Sequence, residues 1–211
     1  MEIPTLWQRW IDALLPPSPE SRMVRGETPD TFCQHYSPRQ RDTTLILSQY
    51  QDPMVQAAIS ANKFQGDRHA SVLLASLLKT YIEHKKTKNI GTLQIIPIPL
   101  STARKKERGY NQVSLILKAL LHSHKHDIEV VDAIKRTLHT KPQSKLKRQQ
   151  RLKNVKGAFV STRKVTHLDI NKPIWILDDV ATTGATLQAA KQALPTDIQR
   201  SSSLQLVAIA G

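Results

Sequence analysis

The chain has 211 residues, 39% of them hydrophobic and 5% aromatic, with a formal net charge of +14 and a single cysteine. That size and balance suit one compact domain with one core, while no apolar run approaches the roughly 20 residues that span a bilayer. The lone Cys33 excludes an intrachain disulfide or a multi-cysteine metal site, and the charge excess points to a polyanionic partner.

In chain order, Ile3, Leu6, Trp7, Trp10, Ile11, Leu14 and Leu15 recur at helical spacing and predict an amphipathic N-terminal helix. Docking on the core is the usual use of such a stripe, with a partner or a membrane surface as the alternative. Glu2, Arg9 and Asp12 interrupt it, so it does not read as a signal peptide and a cytoplasmic location is expected. Pro16, Pro17 and Pro19 stop the helix, and Gly26, Pro29 and Pro38 keep the next stretch irregular. Residues 1–43 are therefore expected to be a helix with a Pro-rich connector, and residues 44–211 one domain. Cys33 and His35 fall in the connector without a local signature of a nucleophile or metal site, and Cys33 reads as a small apolar side chain.

Residues 45–47 predict a strand, and Pro53 opens a helix that turns Met54, Val55, Ala58 and Ile59 inwards and ends near Lys63, where a cation suits the helix dipole. Residues 72–82 predict a core helix. The apolar run 93–98 predicts a strand that ends at Ser101, before the basic cluster Arg104, Lys105, Lys106 and Arg108. A helix over 110–121 then turns Val113, Ile116, Leu117, Leu120 and Leu121 inwards. His122, His124 and His126 are expected to alternate in a polar loop after it, with no carboxylate or cysteine pattern to support a metal. Between Asp132 and Asp169 there is no acidic residue, yet Lys135, Arg136, Lys141, Lys145, Lys147, Arg148, Arg151, Lys153, Lys156, Arg163 and Lys164 fall there. A solvated face would intersperse both signs.

Residues 174–177 have the continuous apolar character of a strand buried on both faces. Asp178 and Asp179 then stand at its carboxyl end, where open α/β sheets bind ligands. Two carboxylates there suit ribose hydroxyls or a hydrated Mg²⁺. Thr182, Thr183 and Thr186 add hydroxyls, Gly184 lets the backbone approach a ligand, and the next helix offers its first amides to a phosphate. Leu187, Ala190 and Leu194 form that helix's inner face, and residues 204–210 close the chain as a strand. The glycine-rich nucleotide motifs and the usual hydrolase motifs are absent.

The acidic tip with its Thr/Gly turn resembles the signature of the type I phosphoribosyltransferases, whose fold binds 5-phosphoribosyl-1-pyrophosphate (PRPP) with Mg²⁺. Several further segments resemble the ComF family, the phosphoribosyltransferase-like proteins of bacterial DNA uptake, over roughly residues 44–211. They are Lys63-Phe64-Gln65-Gly66-Asp67, Pro97-Ile98-Pro99-Leu100-Ser101, Glu107-Arg108-Gly109-Tyr110-Asn111-Gln112, and Gln143, Arg151, Asn154, Gly157 and Phe159. The resemblance implies an α/β fold of the type I phosphoribosyltransferase class, with a mostly parallel central sheet flanked by helices and an extra N-terminal helix. It implies PRPP contacts from Asp178, Asp179, Val180, Ala181, Thr182, Thr183, Gly184, Ala185 and Thr186, joined by Lys63, Ser101, Arg104 and Arg108. Mg²⁺ would be held by Asp178 and Asp179 through water.

The same resemblance implies binding of single-stranded DNA in natural transformation, with DNA-uptake helicases or recombination proteins as candidate partners. Lys141, Lys145, Lys147, Arg148, Arg151, Lys153 and Lys156 are the expected nucleic-acid contacts, while the resemblance also implies that a loop from this part of the fold closes over PRPP and supplies cations to its pyrophosphate. With few aromatic residues, DNA binding should lean on phosphates and depend steeply on salt. Many ComF-like proteins also carry a four-cysteine, zinc-finger-like segment; this chain lacks those cysteines, and no zinc is expected. The alternative is an enzyme that transfers phosphoribosyl from PRPP to a nitrogen base, with Asp178 and Asp179 as its catalytic carboxylates. Thr182 stands where purine-salvage members carry an aspartate that helps activate the base, which argues against that acceptor class.

Overall fold

The computed structural model describes residues 18–86, 92–124, 127–137 and 157–211. The N-terminal helix, His126 and the nucleic-acid candidates Lys141, Lys145, Lys147, Arg148, Arg151, Lys153 and Lys156 lie outside them, and His122 and His124, expected in a loop, belong to the last turn of the helix Gln112–His124.

The stretch expected to be an irregular connector holds ordered elements. Ser18 caps α1 (Pro19–Val24) by accepting from Ser21 N at 3.1 Å, and Thr28 caps α2 (Pro29–Phe32) in the same way. Each cap precedes a proline at the first helical position, where its missing N–H costs nothing. A 3₁₀ turn over Cys33–His35 leads to β1 (Arg39–Arg41), which pairs antiparallel with β2 (Thr44–Ser48). The carboxylate of Asp52 accepts from Met54 N and Val55 N at 2.9 and 3.3 Å to start α3 (Pro53–Gln65), and Gly66, with φ of 63°, ends it. Then come α4 (Arg68–Lys86), β3 (Leu93–Pro97), α5 (Thr102–Arg108), α6 (Gln112–His124) and β4 (Ile128–Val130). A two-stranded ribbon, β5 (Ile134–Arg136) with β6 (Phe159–Ser161), precedes β7 (Ile174–Val180), α7 (Ala185–Gln192), α8 (Thr196–Arg200) and β8 (Leu204–Ala210).

The main sheet runs β1-β2-β8-β7-β3-β4, and all its neighbours are parallel except β1 and β2. Alternate residues of β7 and β8 face opposite layers, as strand geometry requires. Trp175, Leu177, Val207 and Ile209 pack with α3, α4 and α6. Ile174, Ile176, Leu206 and Ala208 pack with α7, α8 and the ribbon. The protein is thus an α/β domain, its mostly parallel sheet covered on both faces. No helix among the described residues is long and apolar enough to cross a membrane.

Strand order places the crevice. From β3 the chain moves through α5 and α6 to β4, while from its neighbour β7 it moves through α7 to β8 on the other side. Adjacent strands whose connections leave in opposite directions define a topological switch point, where the loops diverge and leave room for a ligand. The carboxyl ends at this point carry Ser101 after β3 and Asp178 and Asp179 on β7.

Candidate functional site

The acidic pair sits on the last residues of β7 and is buried, Asp178 being 8% and Asp179 4% exposed. Asp178 Oδ1 accepts from Asp179 N at 2.9 Å, and Asp179 Oδ1 accepts from Val180 N at 3.0 Å. The other oxygen of Asp179 is buried and finds no hydrogen-bond donor among the described residues. A buried acceptor without a donor is costly, and a cation or a ligand hydroxyl would satisfy it. The residues fit Mg²⁺, which takes one or two protein carboxylates and draws its other oxygens from water and substrate phosphates. No cluster of three or more metal-binding side chains occurs among the described residues.

Burial, and next the Asp179 carboxylate, push the Asp178 carboxyl well above its ordinary value of 3.8, and the Lys63 ammonium opposes them. The folded chain therefore holds a proton that the unfolded chain releases. That contribution to stability is complete below the unfolded carboxylate pKa and is lost as pH rises through the folded one. In chelator, the urea midpoint of the wild type should lose ground to that of Asp178→Asn as pH rises from about 4. A difference between the two that stays constant with pH would contradict this electrostatic assignment.

The turn after β7 is held from two sides. Ala181 N donates to Ala210 O at 2.8 Å, and the Arg41 guanidinium of β1 donates to the carbonyls of Ala181 and Thr182. Gly184 adopts φ of 68° and caps α7, and a Cβ there would lie 3.3 Å from Thr44 Oγ1. Asp178, Val180, Ala181, Thr182, Thr183, Gly184, Ala185, Thr186 and Leu187 line a notch of about 20 Å³, larger than the roughly 10–15 Å³ needed by one water. Gly184→Ala should cost about 1–2 kcal/mol through the left-handed backbone alone. The expected drop in melting temperature is about 2–8 °C, and an unchanged melt would show that the turn relaxes freely.

Lys63 and Arg136 act on the pair, and Arg104 and Arg108 lie on α5 after β3. Lys63, half-buried on the last turn of α3, acts on Asp178 electrostatically. Arg104 starts near Ser101, whose buried hydroxyl caps α5 by accepting from Arg104 N at 3.4 Å. Arg108 lies further out, donating to Gln112 Oε1 at 2.9 Å with its guanidinium 5.5 Å from the Phe64 ring. The fourth, Arg136, is visible in the sequence only as one member of the basic stretch. It ends β5 above the Phe159 ring, at 5.4 Å, and burial, then Arg104, hold its pKa below the ordinary value while Asp178 opposes them. Two guanidiniums sharing a half-buried space beside a carboxylate suit a bound anion.

Pairing in the ribbon runs past Arg136. Arg136 pairs with Phe159, and Thr137 N donates to Ala158 O at 2.9 Å. Away from this site, Cys33 is half-buried with its sulfur 3.2 Å from Thr80 Oγ1, and His35 Nδ1 pairs with Asp52 at 2.6 Å.

No family model matches the chain. It is similar to Competence protein F of Haemophilus influenzae, at 32% identity over 158 residues, covering 72% of this chain and 66% of that protein. It is also similar to Competence protein ComFC of Bacillus subtilis, at 30% over 167 residues, covering 77% and 64%. A third relative, Competence protein ComFC of Streptococcus pneumoniae, is 33% identical over 135 residues, covering 64% of this chain and 54% of its own length. The aligned part thus spans about two thirds of the first two relatives and about half of the third.

Proposed function

Because the chain belongs to the ComF/ComFC family of competence proteins, we propose that it serves natural transformation in the cytoplasm, binding PRPP with Mg²⁺ and handling incoming single-stranded DNA. One observation carries the PRPP half of this reading. A buried carboxylate pair stands at the switch point of a mostly parallel sheet, beside a glycine turn and within the field of Lys63 and Arg136. The sheet order is compatible with the type I phosphoribosyltransferase fold, and we take the domain to be of that class.

In this reading Asp178 and Asp179 take the ribose hydroxyls and the hydrated metal, which would supply charge neutralisation for the pyrophosphate. The turn from Val180 to Thr186 takes the 5-phosphate on amides and hydroxyls, as a helix start favours. Arg104 and Arg136 would take the pyrophosphate, with Ser101 at the start of the helix that carries Arg104. The DNA half leans on the net charge and on the acid-free basic run between Asp132 and Asp169. DNA-uptake helicases or recombination proteins are the proposed partners downstream.

Transfer of phosphoribosyl to a nitrogen base is the second reading, favoured by the pair Arg104 and Arg136, which suits a departing pyrophosphate. Calorimetry with PRPP and Mg²⁺, run beside a pyrophosphate-release assay over purine bases, pyrimidine bases and single-stranded DNA, separates the two. Binding without release is the expected result. Base-dependent release would make the protein an enzyme, and absence of binding would overturn the site.

A further inference from the structure

Phe64 is the most exposed large apolar side chain among the described residues, at 67%, although burying a phenylalanine ring is worth about 1.5–3 kcal/mol. It does not stand on a loose loop. The end of α3 is fixed by Gly66, whose Cα lies against the Tyr110 ring so closely that a Cβ would come within 3.0 Å of it. The Tyr110 hydroxyl donates to Lys63 O at 3.2 Å, and buried Asn62 donates to Gln112 O at 3.2 Å, tying α3 to α6. Two cations lie by the ring, Lys63 Nζ at 5.7 Å and the Arg108 guanidinium at 5.5 Å from its centroid. An apolar protein partner would have to desolvate both. A planar base linked to a phosphate would use the ring and the cations together.

We infer that Phe64, with Lys63 and Arg108, is a stacking platform for an unpaired base of a single DNA strand. The inference rests on the DNA-handling reading above and adds to it a specific residue, outside the basic segment, that favours single strands over duplex. In a duplex both faces of a base are covered by its neighbours, so the ring has nothing to stack on. In a single strand the base takes the ring face, and the two cations reach the flanking phosphates.

The test is fluorescence anisotropy of the full chain with oligothymidylate, with an abasic strand of equal length and with free thymidine monophosphate. Wild type should prefer the base-bearing strand. Phe64→Ala should lose that preference, with affinity for oligothymidylate falling roughly 5- to 150-fold while the abasic strand is unaffected, and Phe64→Trp should keep it. Since the ring is exposed, the alanine variant should melt as the wild type does. A preserved preference in Phe64→Ala overturns the platform and leaves the DNA reading standing. A wild type that binds neither strand overturns the DNA reading and the platform with it. A loss confined to thymidine monophosphate overturns the strand as occupant.

Discussion

Replacing Asp178 and Asp179 together by alanine is expected to abolish PRPP binding in the presence of Mg²⁺ while leaving the fold intact. Each carboxylate would give charged hydrogen bonds worth about 1.5–3 kcal/mol to ribose or to metal-bound water. Losing both weakens binding by about 3–6 kcal/mol, a factor on the order of 10²–10⁴. The fold should tolerate the change, because the two carboxylates are buried side by side and burial already disfavours the charge on Asp178. What the variant gives up is two local hydrogen bonds, from Asp179 N and Val180 N, each worth about 1 kcal/mol net. Calorimetry and thermal melting of the same sample decide the matter. A folded variant that still binds PRPP with wild-type affinity would remove the acidic pair from the site, and an Asn–Asn variant separates loss of charge from loss of the acceptors.

Charge reversal of Lys145, Lys147 and Arg148 should have the next largest effect, on DNA binding. For a single strand, each neutralised phosphate contributes about 0.7 to the slope of log affinity against log salt. Leaving three phosphates without a cation should flatten that slope by about 2, and affinity near physiological salt should fall at least roughly tenfold. Titrations of a labelled strand across a salt series measure both. An unchanged slope would move the strand off this segment and leave Lys63 and Arg108 as the cations to test next.

The acidic tip is legible in the sequence because its chemistry is contiguous: strand, carboxylates, turn and helix follow one another without a gap, and local pattern suffices to order them. The same holds for β3, α3 and the core of α4, where an apolar run or a helical stripe decides the element. The short helices α1 and α2 escape a reading that takes prolines only as breakers. Ser18 before Pro19 and Thr28 before Pro29 are start signals present in the sequence. Arg41 and Arg136 cannot be found that way. Each reaches the β7 tip only through strand pairing, β1 to β2 in one case and β5 to β6 in the other, and nothing in a run of basic residues marks which one will arrive beside Asp178. The switch point is equally non-local, since it depends on the order of strands far apart in the chain.

The short hairpin strand β1 has a further consequence, for the solution behaviour of shortened chains. β2 is buried over its whole length, Thr44–Ser48, and without β1 it would present a row of unpaired amides and carbonyls on an apolar ribbon, a template for adding another molecule edge to edge. β1 covers that row with Arg39 and Arg41, both of whose guanidiniums are anchored to main-chain carbonyls, of Gly211 and of Ala181 and Thr182. A fragment cut at the start of β2 would therefore lose more than a few surface residues: it would trade a charged border for a sticky one and form fibrous or amorphous aggregates at concentrations where the longer chain stays dispersed.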